Sequence, residues 1–223
     1  MKTQNNPDAR YDLLLENSDL IAVNKSEGIS SIAENDIKLD SLHSLLENKL
    51  GQKLFVVHRL DKEVSGVIVF AKNSRTHKYV NDLFAERKVK KYYTAAVHGV
   101  IKENEGVIRK PIREFGSGRM GVDDRKGKPS ETKYVVEKRF RDYTLLSLNP
   151  STGRRHQLRV HLYSIGHPIA GDTRYGDKTV QEKFSRILLH ARSLEFQMPG
   201  GETIFVEAPV PNSFLELLNG FSK

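Results

Sequence analysis

The chain has 223 residues, of which 38% are hydrophobic, and it has no cysteine and a formal net charge of +8. This length is enough for one large domain or two small lobes, and the lack of cysteine excludes disulfides, thiolate nucleophiles and cysteine-ligated zinc. The positive charge is expected of a protein that approaches a polyanion such as nucleic acid, although many proteins without such a partner share it.

The N-terminal sequence indicates where the folded part begins. Residues 1–10 have the composition of a disordered tail, so we expect one folded domain over residues 11–223. The tail contains no apolar core for a signal peptide, and no later apolar run approaches about eighteen residues. We therefore expect a cytoplasmic protein without a membrane partner.

Short strands and two helices are predicted in the first half of the chain. Apolar runs at 13–15 and 20–23 predict strands. Leucines at helical spacing predict a helix that has Asp40 as its N-cap and ends at Gly51. A second helix is expected to be capped by Ser74, and its buried face would consist of Tyr79, Val80, Leu83 and Phe84.

Asp61 stands out between these two helices. The segment 54–73 has the pattern of a strand, a loop and a second strand, and Asp61 ends the sequence HRLD on the loop. A carboxylate between two buried strands is costly unless a cation pairs with it or the site uses it chemically. Asp61 is therefore a candidate functional residue.

The middle of the chain is predicted to be a strand followed by a basic insertion. The sequence KKYYTAAVHG at 90–99 has strand character. Residues 102–133 are rich in glycine and contain nine Lys or Arg against six Asp or Glu, which predicts surface loops and short strands. Further strands are predicted at 134–140 and 143–148.

A dense positive stretch follows these strands. A helix is predicted after Thr152, with Arg155 and Arg159 four residues apart on one face. Residues 151–171 contain these two arginines and Arg154 but no acidic residue, which predicts a site for an anion, either a phosphate or a buried carboxylate. Together with Asp61, this stretch indicates one cleft. Closing strands and a short terminal helix are predicted at 187–196, 203–206 and 211–219.

Other chemistries have weak support. The sequence GSGRMG at 116–121 lacks the following helix that a dinucleotide site needs, so it is interpreted as a loop. His156 and His161 do not share a helix face, and no metal site is predicted. Ser65 lacks the glycine pattern of a hydrolase nucleophile, and a glycosidase pair of Asp61 and Glu63 would explain none of the arginines. The histidines at 58, 156 and 190 are interpreted as core or hydrogen-bonding residues.

Three ordered sequence blocks carry a family resemblance. They are HRLDKEVSGVIVFAK at 58–72, KKYYTAAVHG at 90–99 and PSTGRRHQLRVHLYSIGHPIAGDTRYG at 150–176. In order and spacing they resemble the motifs of the RluA-type RNA pseudouridine synthases, and LLHARSLEF at 188–196 resembles a further block. The resemblance covers most of residues 12–212.

The resemblance implies roles by position. Asp61 matches the catalytic aspartate, Tyr93 the active-site tyrosine, and Arg159 the arginine that pairs with the aspartate. Leu158 falls where the family places an apolar residue against the target base. The sequence departs from the family at two places, where Val64 replaces the usual Thr and Lys25–Ser26 replaces the usual Lys–Pro.

The resemblance also implies a fold and an RNA partner. We expect the α+β pseudouridine synthase fold, a mixed, mainly antiparallel central sheet flanked by helices, with two lobes around a basic active-site cleft. The separate S4 RNA-binding domain that often precedes the catalytic domain is expected to be missing. RNA contacts are then assigned to Lys91, Arg154, Arg155 and His156 and to the basic insertion, and Arg59 is assigned to a phosphate or to the space left by the flipped base.

The expected activity is the isomerisation of specific uridines in structured rRNA or tRNA by a monomeric enzyme. This reaction moves no electrons and adds no atoms, so no cofactor, nucleotide or metal is expected. Tyr92, on the other side of the strand from Tyr93, is expected to be structural. Two alternatives stay open: a non-catalytic RNA-binding or assembly factor that uses the same basic cleft, and a nucleoside hydrolase that would release free uracil.

Overall fold

The computed structural model describes residues 10–33 and 41–221. The predicted tail over residues 1–10, apart from Arg10, and the predicted N-cap Asp40 lie outside these residues. The strands and helices follow in this chain order: β1 (Tyr11–Glu16), β2 (Leu20–Lys25), α1 (Leu42–Leu50), β3 (Phe55–Val56), β4 (Ser65–Ala71), α2 (Ser74–Ala85), β5 (Lys90–His98), β6 (Glu105–Ile108), β7 (Ile112–Glu114), β8 (Met120–Val122), β9 (Thr132–Arg139), β10 (Tyr143–Pro150), α3 (Gln157–Ser164), α4 (Lys178–Gln181), β11 (Leu189–Gln197), β12 (Thr203–Glu207) and α5 (Asn212–Gly220).

The chain divides into two compact units. The first unit contains the chain up to Val89 together with Ser193–Pro209, and the second contains Lys90–Arg192 together with the chain from Val210 onward. Each unit combines strands and helices, which confirms the predicted α+β class. No helix in the described ranges is both long enough and apolar enough to cross a lipid bilayer.

The first unit is built on strands β1, β2 and β4, which pair antiparallel in that order. All seven residues of β4 are buried, as expected of an apolar strand that is covered on both faces. The short strand β3 pairs with β4, and β12 pairs with β11. The core of this unit includes Leu20, Val69, Val80 and Phe196.

Two capped helices cover the first unit. The N-cap of α1 is Ser41, whose side chain accepts a hydrogen bond from the Ser44 backbone N–H, and Gly51 ends the helix in the left-handed conformation as predicted. The predicted cap of α2, Ser74, is wrong, because Ser74 is the first helical residue and Asn73 Oδ1 accepts from the Thr76 N–H at 2.9 Å. The predicted apolar face of this helix does pack on the core.

In the second unit, strands β5, β10, β9 and β6 pair antiparallel in that order. The basic insertion at 102–133 contributes β6 and a separate hairpin of β7 and β8, which confirms the predicted loops and short strands. The GSGRMG sequence forms the turn of this hairpin and runs into β8, so the prediction of a glycine-rich loop is also confirmed.

Helix α3 begins later than predicted. It starts at Gln157, after His156 has taken the left-handed conformation with φ 54°, and all residues from Gln157 to Leu162 are buried. The predicted shared face of Arg155 and Arg159 is wrong, because Arg155 precedes the helix and is exposed whereas Arg159 is buried within it. The terminal helix α5 also differs slightly, since it spans Asn212–Gly220 rather than the predicted 211–219.

Candidate active site

Asp61 lies on the predicted loop, between β3 and β4 of the first unit, and is half-buried. The residue before it is held on both sides of its backbone by Ser31. The Ser31 hydroxyl donates to the Leu60 carbonyl at 2.7 Å and accepts from the Leu60 N–H at 3.0 Å. Because both backbone groups of Leu60 are satisfied by one buried side chain, the position of the adjacent carboxylate is restricted.

Lys25 holds the residue on the other side of Asp61. This lysine ends β2 and is completely buried, with 0% exposure. Its ammonium donates to the carbonyls of Ser26 and Ile29 at 2.9 Å and of Lys62 at 3.2 Å. The sequence assigned no role to Lys25, although a lysine that ends the apolar strand LIAVNK is a signal that could have identified it.

The neighbours of Asp61 take different environments. Arg59 is exposed, and Val64 is 3% exposed directly before β4. His58 Nε2 accepts a hydrogen bond from the Val69 N–H at 3.0 Å, and its ring stacks on Phe84. The interpretation of His58 as a core or hydrogen-bonding residue is therefore confirmed by its hydrogen bond.

Strand β5 carries Lys91 and Tyr93 in the second unit. These residues are two apart on a strand, so they point to the same face, and both are half-buried. The Lys91 ammonium donates to the Thr152 carbonyl at 3.3 Å, and burial lowers the pKa of this ammonium to about 8. Tyr92 points to the other face and is 38% exposed.

Arg159 is bound to a carboxylate that the sequence reasoning missed. Its Nε and one terminal nitrogen each donate to Asp172 at 2.8 Å, and the two side chains are 4% and 0% exposed. Asp172 also accepts from the backbone N–H groups of Arg174 and Tyr175. A bidentate, charge-assisted pair of this kind fixes the plane of the guanidinium. Asp172 follows directly after the stretch without acidic residues, and this position was the available signal.

Gln157 organises the turn before α3, and the sequence reasoning assigned it no role. Its side-chain carbonyl accepts from the Thr152 hydroxyl at 2.7 Å and from the Arg154 N–H at 3.1 Å. Its amide donates to the Glu131 carbonyl at 2.9 Å and to the Thr132 hydroxyl at 3.1 Å. One side chain therefore ties the turn to the start of β9.

The predicted RNA-binding residues lie on or beside this turn. Arg154 Nε is a buried donor without a hydrogen-bond partner among the described residues. Arg155 is exposed and pairs with Glu114 of β7 at 3.2 Å. His156 Nδ1 is hydrogen-bonded to the Tyr175 hydroxyl at 2.7 Å, so the hydrogen-bonding interpretation holds here too. Leu158 is 7% exposed on the first turn of α3.

Within the second unit, Lys91 contacts the turn that carries Arg154, Arg155 and His156. This turn leads directly into helix α3, which carries Arg159. Asp61 and Arg59 belong to the first unit. The pairing of Asp61 with Arg159 stays a prediction. In the described ranges, no group of three or more His, Asp or Glu side chains is placed to hold a metal ion.

The sequence matches the family described as RNA pseudouridylate synthase over residues 19–164. The ribosomal large subunit pseudouridine synthase C of Buchnera aphidicola is 35% identical over 93% of this chain and 69% of that protein. An uncharacterized RNA pseudouridine synthase of Zymomonas mobilis is 35% identical over 92% of this chain and 96% of that protein.

Two solved human structures are similar to this chain. Human RNA pseudouridylate synthase domain containing 1 has a TM-score of 0.78 and 30% identity, and covers 90% of this chain and 84% of that chain. Human RNA pseudouridylate synthase domain containing 4 has a TM-score of 0.77 and 30% identity, and the match covers 93% of this chain and 91% of that chain. The predicted pseudouridine synthase fold is thereby confirmed. The chain belongs to the RNA pseudouridylate synthase family, whose members are isomerases that convert uridine in RNA to pseudouridine.

Proposed function

We propose that this protein isomerises specific uridines of ribosomal RNA and that Asp61 is its catalytic residue. The observation that carries the proposal is the support of the Asp61 loop, where buried Lys25 and Ser31 bind the backbone on either side of the carboxylate. Catalytic groups are effective when the surrounding structure holds them in place before substrate arrives. The resemblance of HRLD to the family motif supports a chemical role for the carboxylate itself.

The reaction requires bond rearrangement without a co-reactant. The N1–C1′ bond of uridine breaks, the uracil turns, and a C5–C1′ bond forms. The hydrogen on C5 leaves as a proton, and N1 gains a proton, so atoms and electrons balance. Asp61 acts as the nucleophile at the sugar or the base, or removes a proton from the sugar to form a glycal. The target base must first leave the RNA stack, at a cost of a few kcal/mol.

The other proposed site residues serve the same uridine. Arg159 offers opposite charge and hydrogen bonds to the Asp61 carboxylate. Tyr93 lies against the uracil, where stacking is worth about 1–3 kcal/mol, and Leu158 contacts the base from its apolar position. Arg59 holds a phosphate or fills the space that the flipped base leaves.

RNA is bound by the turn before α3 and by Lys91, which contacts this turn from β5. Lys91, Arg154, Arg155 and His156 contact phosphates or sugars, and Arg154 is the best supported of them because its buried Nε donor has no partner among the described residues. We further propose that the protein acts as a monomer in the cytoplasm and needs no cofactor, because the isomerisation is balanced without one.

The proposal is tested with RNA that carries tritium at uracil C5, since rejoining through C5 must release the label to water. The wild-type protein should release tritium, and Asp61→Asn should bind the RNA with unchanged affinity but release none. Asn has nearly the same shape as Asp, so this variant isolates the charge. Substantial release by Asp61→Asn would contradict the catalytic assignment.

Arg159→Ala should also lose activity, because the environment of the carboxylate changes. Glu63→Gln is the matched control for Asp61→Asn, because it makes the same carboxylate-to-amide change on the same loop but outside the proposed site. It should keep wild-type turnover. If the wild-type protein bound RNA tightly and released no tritium from any RNA, the result would contradict the proposal and indicate a non-catalytic assembly factor. Free uracil as product would indicate a hydrolase.

A further inference from the structure

The second unit contains a groove that the proposed catalytic site does not use. It has a volume of about 480 Å³ and is lined by residues of the β7–β8 hairpin, by the outer side of α3 and by Tyr175. Its floor is formed by the side chains of Met120, Val160 and Tyr175, which are mainly apolar and are 9%, 2% and 1% exposed. Pockets that hold small organic ligands have about 300–1,000 Å³, so the groove is large enough for a nucleotide.

Two aromatic rings at the edge of this groove are exposed to solvent. Phe115 is 38% exposed and Tyr163 is 49% exposed. The Phe115 ring is held in place, since Arg113 lies 4.2 Å from its centre and a Cβ atom at Gly121 would approach the ring to 2.8 Å. Exposed rings on a rigid support provide flat apolar faces on which a planar ligand can stack.

The groove also carries positive charge. The Arg119 guanidinium lies 5.8 Å from the centre of the Tyr163 ring and 5.2 Å from that of Tyr175. Arg174 reaches the same turn and donates to the Gly118 carbonyl at 3.1 Å. Unpaired RNA bases stack on aromatic rings and on guanidinium planes, while their phosphates bind arginine. The combination therefore fits a nucleotide better than an uncharged apolar ligand.

Tyr175 connects the groove to the α3 turn. One side of this residue lines the groove, its hydroxyl is hydrogen-bonded to His156 at 2.7 Å, and its ring centre lies 5.3 Å from the Arg159 guanidinium. A ligand in the groove is thus separated from Arg159 by a single side chain. If Arg159 serves the target uridine, a nucleotide in the groove is close to that uridine in the folded RNA.

We propose that this groove binds a second, unpaired nucleotide of the substrate RNA, with its base stacked on Tyr163 and Phe115 and its phosphate on Arg119. This inference rests on the proposed function for the identity of the RNA. The groove adds specificity, because an RNA presents a free base there only when its fold unstacks a nucleotide near the target uridine.

A single-tryptophan reporter tests this site, because the chain contains no tryptophan. Tyr163→Trp places the fluorophore at the edge of the groove, and titration with the single-stranded pentanucleotides U5 and A5 should quench it saturably. Adding Arg119→Gln should weaken this binding about tenfold. Phe205→Trp is the matched control, since Phe205 is 57% exposed on β12 of the first unit, and it should show no saturable quenching. Absence of quenching at position 163, or equal quenching at both positions, would overturn the proposal.

Kinetics separate this inference from the proposed function. With the tritium-labelled RNA, Tyr163→Leu should raise KM about tenfold and leave kcat unchanged, because the ring binds RNA away from the reacting atoms. Asp61→Asn combined with Tyr163→Trp should keep the quenching and lose tritium release. Unchanged KM in Tyr163→Leu would refute the groove while the isomerase stands. Quenching without any wild-type tritium release would refute the proposed function and leave nucleotide binding in the groove supported.

Discussion

The ammonium of Lys25 is fully buried and binds three backbone carbonyls, two in the segment that follows β2 and one beside Asp61. A buried charge is costly to desolvate and is retained where hydrogen bonds satisfy it. At this position the charge joins two separate stretches of backbone around the proposed catalytic loop. Lys25 is therefore a positioning residue that acts through the Asp61 loop.

Lys25→Met should lower both stability and turnover. Methionine fills a similar volume but removes the donor from three carbonyl oxygens, so we expect the free energy of unfolding to fall by about 2–4 kcal/mol. At a temperature where the variant is folded, kcat should fall at least tenfold while RNA affinity changes little. Urea unfolding and tritium release measure the two effects. Lys78→Met, an exposed residue of α2, is the control; a normal kcat in Lys25→Met would rule out the positioning role.

Lys91 predicts a pH dependence of RNA binding. Its pKa is lowered from 10.5 to about 8 by burial, so the ammonium is charged at pH 7 and largely neutral at pH 9. Wild-type affinity for RNA should fall about fivefold over this range as one phosphate contact loses its charge. Lys91→Arg, which stays charged, should remove that decline. Fluorescence anisotropy with labelled RNA measures both proteins, and parallel declines would show that Lys91 does not contact phosphate.

The Lys91 ammonium affects stability in the opposite direction from RNA affinity, because stability rises with pH where affinity falls. Because the folded pKa lies below the unfolded value, the unfolded chain binds more protons between about pH 8 and 10.5. The contribution of Lys91 to the free energy of unfolding therefore rises with pH in this window. Weaker RNA binding at pH 9 can thus be distinguished from loss of the folded state.

At the scale of elements, α3 depends on partners outside itself. Within the described residues, the N-cap His156 makes no side-chain capping hydrogen bond to the helix. The helix is positioned by Gln157, by the bond of His156 to Tyr175 and by the Arg159–Asp172 pair. These partners lie on β9 and on the chain after the helix. The turn before α3, which we propose binds RNA, therefore takes its shape from packing rather than from helix propensity.

Asp172→Ala should destabilise the protein strongly. It leaves the buried Arg159 guanidinium without its bidentate partner, and breaking a buried pair costs about 3–5 kcal/mol. Glu114→Gln, which breaks the exposed pair with Arg155, is the matched control and should cost less than about 1 kcal/mol. Urea unfolding compares the two variants, and equal losses would contradict the structural role of the buried pair.

At the scale of the whole molecule, the similarity to relatives and human structures extends over nearly the full chain. It establishes the family, and we propose that the groove beside α3 contributes to the choice of the RNA target. Two of its relatives are named ribosomal large subunit pseudouridine synthase C.

Mapping of pseudouridines should identify that target. In cells that lack this protein, we expect one or a few pseudouridines to disappear from large-subunit ribosomal RNA, with transfer RNA unchanged. The wild-type gene should restore them, and the Asp61→Asn gene should not. Chemical mapping of total RNA makes the comparison. Loss of pseudouridine confined to transfer RNA would show that transfer RNA, and not ribosomal RNA, is the substrate.

Local sequence patterns predicted much of the secondary structure. The β3–loop–β4 arrangement around Asp61, the strand at Lys91 and Tyr93, and the loops and short strands of the basic insertion follow from alternation, turn residues and glycines. One error occurs where two neighbouring residues compete for one role, as with Asn73 and Ser74 at a helix cap. In such cases geometry decides which side chain reaches the free N–H.

By itself, the sequence determined the fold class, the family and the place of Asp61 on its loop, because these depend on local pattern and motif order. Only the tertiary structure decided that Asp172 binds Arg159, that Lys25 is buried beneath the Asp61 loop and that Arg155 and Arg159 lie in different environments. The reason is physical. A buried charge takes its hydrogen-bond partners from segments that packing brings together, and no local pattern records which segments those are.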